Sequence, residues 1–376
     1  FVVNVFCYIP MFVVLFLWRR AKTAPRLPPE SLGRAIISGV RYVTHSPPIR
    51  TVLTRTLLVS VIGGVAPVLM PLVARDLVQG GALTYGVLLG AFGLGAVIGA
   101  LNMSTLRARF VIEHLVIACM VLIALSTITV SFSRSLPLSM LALLCNGMGW
   151  MVSIASHNIE IQMAAPRWVA GRTLALFQAS TAGGVAVAGV IWGHVAEWYG
   201  TPTAFLAAGI AMLGVPILAL WLRLPGGERV EDAREERAAP TVTLKLTPRS
   251  GPIVIELEYR VNAADAREFY TAMLEQQRAR QRNGGYGWSI SRDIAEPDLW
   301  TERFHCPTWH DYLRQRSRAT QAERELENRI RGLHQGPNPP VVRRMLERPF
   351  GSVRWREETP DHGEEHAGPI TGPTGP

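Results

Sequence analysis

Charge is missing from long stretches of this chain. Seven runs of 18 or more residues hold no Asp, Glu, Lys or Arg: Phe1–Trp18, Thr56–Ala74, Thr84–Leu106, Leu115–Ser133, Leu136–Ile159, Thr173–Val195 and Thr201–Leu222. A helix crossing the ~30 Å hydrocarbon layer of a bilayer needs ~20 apolar residues. One such run fits inside a soluble protein, but seven in succession do not. The absence of charge therefore excludes a water-soluble fold for the first two-thirds of the chain and predicts about seven transmembrane helices.

Cysteine is scarce as well. Cys7, Cys119, Cys145 and Cys306 form no CxxC pair, and the first three lie in apolar runs, where cysteine acts as a small hydrophobe. No disulfide framework, metal site or cofactor site is readable. No basic segment precedes the first apolar run, so it is not read as a signal peptide, and an upstream part of the protein is expected to be missing. The net charge of +9 comes with no nucleic-acid-binding motif, and no nucleic-acid partner is expected.

Positive charge instead sorts the loops. Arg19, Arg20, Lys22, Arg26, Arg34, Arg41 and Arg50 follow the first run, Arg107 and Arg109 the third, Arg167 and Arg172 the fifth, and Arg223 and Arg229 the last. The intervening loops carry Arg75 beside Asp76, Arg134 alone, and no Lys or Arg around Glu197. The heavy loops belong in the cytoplasm, so the C-terminal part is expected there too, on a plasma-membrane protein. Between the first two spans, Leu32, Ala35, Ile36, Val40 and Val43 recur at helical spacing, which predicts an amphipathic helix on the inner membrane surface, ended by Pro47-Pro48. Gly86, Gly90, Gly95 and Gly99, and Gly189 with Gly193, are spaced for close helix packing. Pro67, Pro71 and Pro216 should kink their spans.

Polar residues at membrane depth are costly and so become functional candidates. Asn146, Gln178 and Asn102 are candidates for a substrate path, against the plainer reading of interhelical hydrogen bonds. His157 and Glu160 share one helix face and are candidates for coupling or gating, as are Arg55, Arg107 and Arg109. Glu160 is also placed to pair with a cytoplasmic arginine such as Arg167 or Arg172.

After a charged linker, 226–250, the pattern changes. Ile253–Val261 alternates as a strand, and Asn262 with Asp265 gives a helix start. The helix carrying Phe269, Tyr270, Met273 and Leu274 ends at Asn283-Gly284-Gly285. Strands Tyr286–Ile294 and Leu299–Cys306, a helix from Trp309 to Leu333 and a strand Val341–Glu347 follow. The order βαββαβ predicts an α+β ferredoxin-like domain over 251–348. The Gly/Pro/Glu-rich tail 349–376 is expected to be disordered.

Several local motifs resemble the second half of a major facilitator superfamily transporter, in its enterobactin-exporter-like branch. They are Gly39-Val40-Arg41-Tyr42-Val43 with His45-Ser46-Pro47, Pro71-Leu72-Val73-Ala74-Arg75-Asp76, Gly86-Val87-Leu88-Leu89-Gly90-Ala91, Arg107-Ala108-Arg109 and Ala165-Pro166-Arg167-Trp168-Val169. The resemblance covers 1–225 and implies the last span of an N-terminal half followed by the six spans of a C-terminal half. It further implies transport of a small molecule, siderophore-like or drug-like, by alternating access between two half-bundles, with the main proton-coupling carboxylate in the missing half. Gly99, Arg107 and Arg109 stand where that superfamily has a loop motif, but no acidic residue lies between them. Residues 252–347 resemble dimeric α+β barrels of the antibiotic-biosynthesis-monooxygenase type, through Trp288, Arg292-Asp293, Trp300 to Phe304 and Trp309-His310-Asp311-Tyr312. That resemblance implies a homodimer through this domain and a pocket in which Trp288, His305, Trp309 and His310 are candidates. The leading reading is a transporter and not an enzyme. The alternatives are a membrane-tethered, cofactor-free monooxygenase and a non-catalytic dimerisation module on a membrane anchor.

Overall fold

A computed structural model describes residues 2–18, 30, 32–219, 221–226, 230–231, 240 and 242–347. The basic residues Arg19 to Arg26, part of the linker and the tail beyond Glu347 lie outside the described residues. The chain divides into two compact units, the first being Phe1–Ala35. It holds the apolar helix α1 (Val2–Leu17) of 16 residues, about 24 Å at 1.5 Å per residue. Among the described residues six helices, not seven, are long and apolar enough to span a membrane.

The second unit begins within α2 (Leu32–Thr44). This helix is amphipathic as expected. It buries Ser38, Gly39, Tyr42 and Val43, while Ile36, Ile37 and Val40 stay exposed. Pro47 opens the first span, which runs as α3 (Pro47–Gly63), α4 (Val65–Leu72) and a π-turn Val73–Leu77. The proline positions account for these breaks. Pro67 has no N–H to give the carbonyl of Gly63, four residues back, and the helix is interrupted between them. Beyond Pro71 the ladder widens, with the N–H of Val78 bonded to the carbonyl of Val73 at 3.1 Å. The remaining spans are α5 (Ala82–Arg109), α6 (Ile112–Phe132), α7 (Leu136–Ala164), α8 (Arg167–Tyr199) and α9 (Thr201–Ala219), the last with Pro216 inside it. α5 packs on α7, α6 lies between α7 and α9, and α3 packs on α8.

The glycine spacing is used selectively. At Gly95 an added Cβ would overlap the carbonyl oxygen of Leu144, and at Gly147 that of Phe92. These two residues let the α5 and α7 backbones touch. Gly99 also faces α7, with the carbonyl of Met148 at 3.0 Å from a Cβ position. Gly86, Gly90 and Gly193, by contrast, meet nothing within 4 Å. They do not pack this bundle.

The C-terminal domain comprises β1 (Ile253–Arg260), α10 (Ala266–Arg282), β2 (Tyr286–Arg292), β3 (Leu299–Cys306), α11 (Trp309–Ser317), α12 (Gln321–Gly332) and β4 (Val341–Leu346). The sheet order is β2-β3-β1-β4, and every neighbouring pair is antiparallel. The expected single helix from Trp309 to Leu333 is two helices. Thr320 and Glu323 form a reciprocal capping box that starts α12 afresh. The expected cap at the start of α10 is also different: Asp265 holds the N-cap position without a side-chain bond. The domain rests on the arginine-rich end of the bundle. The Arg318 guanidinium lies 4.0 Å from the Trp168 ring centre, and Tyr42 meets the same ring edge-on at 5.2 Å.

Side chains introduced at the α5–α7 contact should force the helices apart. Gly95→Leu and Gly147→Leu are each expected to cost about 1–3 kcal/mol or more, read as a lower midpoint of thermal unfolding in detergent. Gly86→Leu, facing open space, should leave the midpoint unchanged.

Candidate functional site

The polar residues of the bundle fall into three separate settings. Asn146 is fully buried on α7. Its Nδ2 donates to Ser126 Oγ and Thr127 Oγ1, both at 3.0 Å, on α6. It staples two helices together. Asn102 and Gln178 are exposed, on α5 and α8. Asn102 Nδ2 donates to the carbonyl of Ile98 in its own helix at 2.9 Å. The three substrate-path candidates therefore do not meet, and two of them lie on open helix faces.

The arginine-rich end holds a buried charge network. Arg55 is 1 % exposed, and its Nη1 donates to both Glu113 oxygens at 2.7 and 2.9 Å and to the Leu222 carbonyl at 3.2 Å. Glu113 Oε2 in turn accepts the N–H of Leu224 at 2.9 Å. One ion pair thus ties α3, the first turn of α6 and the chain leaving α9. Glu160 is fully buried on α7 and pairs with Arg107 of α5, Nη2 to Oε1 at 3.3 Å. This partner comes from the last turn of α5, whereas Arg167 and Arg172 were the arginines expected. Arg172 donates to Ser38 Oγ of α2 at 2.8 Å. His157, one turn before Glu160, sets Nδ1 2.7 Å from the Ser153 carbonyl. A carbonyl only accepts, so Nδ1 carries the proton, and the buried Nε2 has no partner among the described residues. Arg109 stays exposed at the end of α5.

Glu113 was not among the candidates, although its signal is legible. Between Glu30 and Glu228 the chain has four carboxylates, Asp76, Glu113, Glu160 and Glu197. The first three pair with Arg75, Arg55 and Arg107. Where acids are this rare, each one near a span end marks a partner to be sought.

In the C-terminal domain a cavity of about 770 Å³ lies between the sheet and α10, α11 and α12. None of the four expected pocket residues lines it. Trp288 packs in the core and donates Nε1 to Glu302 Oε1 at 3.1 Å. The His305 ring tilts over Tyr286 at 5.4 Å, and its Nε2 sits 3.5 Å from Glu347 Oε2. Trp309 lines a separate, smaller cavity of about 290 Å³ beside β4. His310 lines neither of these cavities; partial burial and the nearby Arg314 hold its imidazole below the usual range. Instead Arg280, Tyr312 and Arg344 line the larger cavity. Burial pushes the Cys306 thiol up to about 12, so it stays protonated and unreactive.

Removing one half of the Arg55–Glu113 pair leaves a buried cation alone. Glu113→Ala is expected to destabilise the bundle by about 3–5 kcal/mol, measured by thermal unfolding in detergent. The double change Arg55→Met with Glu113→Gln should recover most of the loss, since no lone charge remains.

A search of curated proteins finds no match to this chain. One family model, MFS_3, described as transmembrane secretion effector, matches residues 1–350 and so runs through the bundle and the C-terminal domain alike. This is a family of membrane transporters and not of enzymes. With six membrane-length helices packed as one bundle and a match over nearly all of its length, the chain belongs to the MFS_3 transmembrane secretion effectors.

Proposed function

We propose that this transporter exports an amphipathic small molecule, siderophore-like or drug-like, by alternating access between the bundle described here and a facing half-bundle. The observation that carries the reading is the open side of the bundle. α5 and α8 leave most of their surface uncovered. That surface offers Gly86, Gly90, Gly93 and Gly183, which meet nothing within 4 Å, together with the polar Asn102 and Gln178. Small residues allow helices to approach closely without a hydrophobic driving force. Amides beside them suit a path that opens and closes between two bundles near mid-membrane. In this reading the Arg107–Glu160 pair is a latch between α5 and α7 at the cytoplasmic end, and His157 lies one turn above it.

The arginine-rich end faces the cytoplasm of an inner-membrane protein, as the loop charges favour. The C-terminal domain then hangs on the cytoplasmic side. Its element order and its antiparallel strand order support a ferredoxin-like assignment. The outer sheet face carries the pairs Glu258–Arg343 at 2.9 Å and Glu256–Arg303 at 3.7 Å. A second copy docking there would meet charge, not an apolar seam.

Inverted membrane vesicles bearing the protein and given a proton gradient should accumulate a catecholate siderophore or a macrolide faster than vesicles without it. Glu160→Gln should slow that uptake several-fold, compared at equal amounts of folded protein. Equal uptake with and without the protein, across both ligand types, would sink the export reading.

A further inference from the structure

The C-terminal domain is seated on the arginine-rich end of the bundle at three points, each on a different helix. The first is Trp168, in the opening turn of α8. Its ring takes the Arg318 guanidinium at 4.0 Å, Arg172 of its own helix at 5.8 Å and the edge of Tyr42 of α2 at 5.2 Å. The second is a strap of the chain that leaves the bundle. Val230 donates its N–H to the carbonyl of Met163 at 2.8 Å, and the next residue, Glu231, accepts the N–H of Gln321 at 2.9 Å. Met163 lies in the last turn of α7, and Gln321 opens α12. Helix ends leave such groups without a partner in their own helix, so two linker residues cap one helix of the bundle and one of the domain. The third is Gly284, in the turn between α10 and β2, whose φ of +107° favours glycine. A Cβ there would stand 2.9 Å from Nη2 of Arg41 in α2.

α2 is caught between these surfaces. On the bundle side Arg172 donates to Ser38 Oγ at 2.8 Å, and its side chain fills the space beside Gly39. On the other side Arg41 meets the turn of the domain, and Tyr42 meets the ring that Arg318 covers. The face that α2 buries is narrow, Ser38, Gly39, Tyr42 and Val43, while Ile36, Ile37 and Val40 stay exposed. The strap's anchor on α7, Met163, comes three residues after Glu160, whose carboxylate Arg107 holds. The contacts are a cation over a ring, two backbone hydrogen bonds and a guanidinium against a glycine. Each is of modest strength, and domains joined in this way move relative to one another unless a large apolar interface forbids it.

We propose that the C-terminal domain is a releasable clamp on the arginine-rich end of the transporter. Docked, it fixes α2 and the last turn of α7 against α8. Released, through loss of the Arg318–Trp168 contact, it frees that end to rearrange. The consequence for transport rests on the export reading, whereas the clamp itself does not, and the two are measured separately.

The test is hydrogen exchange read by mass spectrometry on the full chain in lipid nanodiscs, since exchange reports local opening. Arg318→Ala removes the domain's cation from Trp168, and Arg41→Ala removes the contact at Gly284. Each is expected to speed exchange about fivefold or more over 36–44 in α2 and 160–165 at the end of α7, the population change that loss of one such contact gives. Residues 116–128, in the middle of α6, should exchange as before. Arg318→Lys keeps a cation over the ring and should restore slow exchange. Unchanged exchange over α2 and the end of α7 in both alanine variants, or an equal rise in α6, would overturn the proposal. In the vesicle assay Arg318→Ala should raise the initial rate of uptake at equal amounts of folded protein. A rate equal to or below that of the unmodified protein also overturns it. Absence of uptake by both proteins sinks the export reading, and the exchange result then judges the clamp by itself.

Discussion

In the hydrocarbon of a bilayer a polar side chain finds no water, and at several points the bundle meets that constraint by sending a buried polar group to a neighbouring helix. Asn146 shows it most simply. Its amide nitrogen reaches two hydroxyls on α6, Ser126 and Thr127, and so fixes α7 against α6. The Arg55–Glu113 pair does the same with charge, and draws the chain after α9 into the contact through Leu222 and Leu224. Without these ties the six spans would be held by dispersion alone, since lipid tails are as apolar as leucine. The glycines complete the arrangement. Gly95 and Gly147 bring α5 and α7 to backbone contact, and dispersion is strongest where atoms pack without gaps.

The same constraint concentrates charge at the ends. Arg55, Arg107 and Arg172 all reach partners on other helices at the arginine-rich end. The opposite end has a lighter set, with Asp76 held by Arg75 at 2.6 Å and by the Thr201 hydroxyl at 2.8 Å. Fixed pairs at both ends are what a rocking bundle needs if it is to move as one body. The C-terminal domain joins this scheme at Trp168, whose ring meets Tyr42 of α2, Arg172 of α8 and Arg318 of the domain. Arg318 belongs to the turn between α11 and α12, and that turn also carries Ala319 on the cavity wall, next to Arg316 in the last turn of α11.

Much of this architecture was legible in the residues themselves. The uncharged runs fall inside or across all six spans, because the bilayer sets a minimum length that few soluble helices reach with so little charge, although the first span begins nine residues before its run, at Pro47. The strands of the C-terminal domain were legible from alternation, and Leu299–Cys306 fell at its expected bounds. The break between α11 and α12 was missed although its signal, Thr320 three residues before Glu323, is a local one. The helical spacing of Leu326, Ile330 and Leu333 beyond it overrode it. The glycine pattern was half legible. Spacing showed which glycines could permit contact, but only the tertiary arrangement decides that Gly95 is covered and Gly86 is open.

The site residues were harder for a physical reason. Trp288, His305, Trp309 and His310 drew attention because their side chains are chemically conspicuous, yet conspicuous aromatics are also the residues that fill small cores, as Trp288 does. The cavity is made instead by side chains that look ordinary one at a time. Arg280 comes from α10, Arg316 from α11, Arg331 from α12 and Arg344 from β4, and no spacing rule connects them along the chain. In a protein with 38 basic residues an individual arginine carries almost no information. Which of them meet at the cavity is a property of the folded arrangement. The acids tell the converse story. They are so few between Glu30 and Glu228 that each could have been traced to its cation from the sequence alone, and the pairing of Glu113 with Arg55 is the case where scarcity would have been the better guide than chemical prominence.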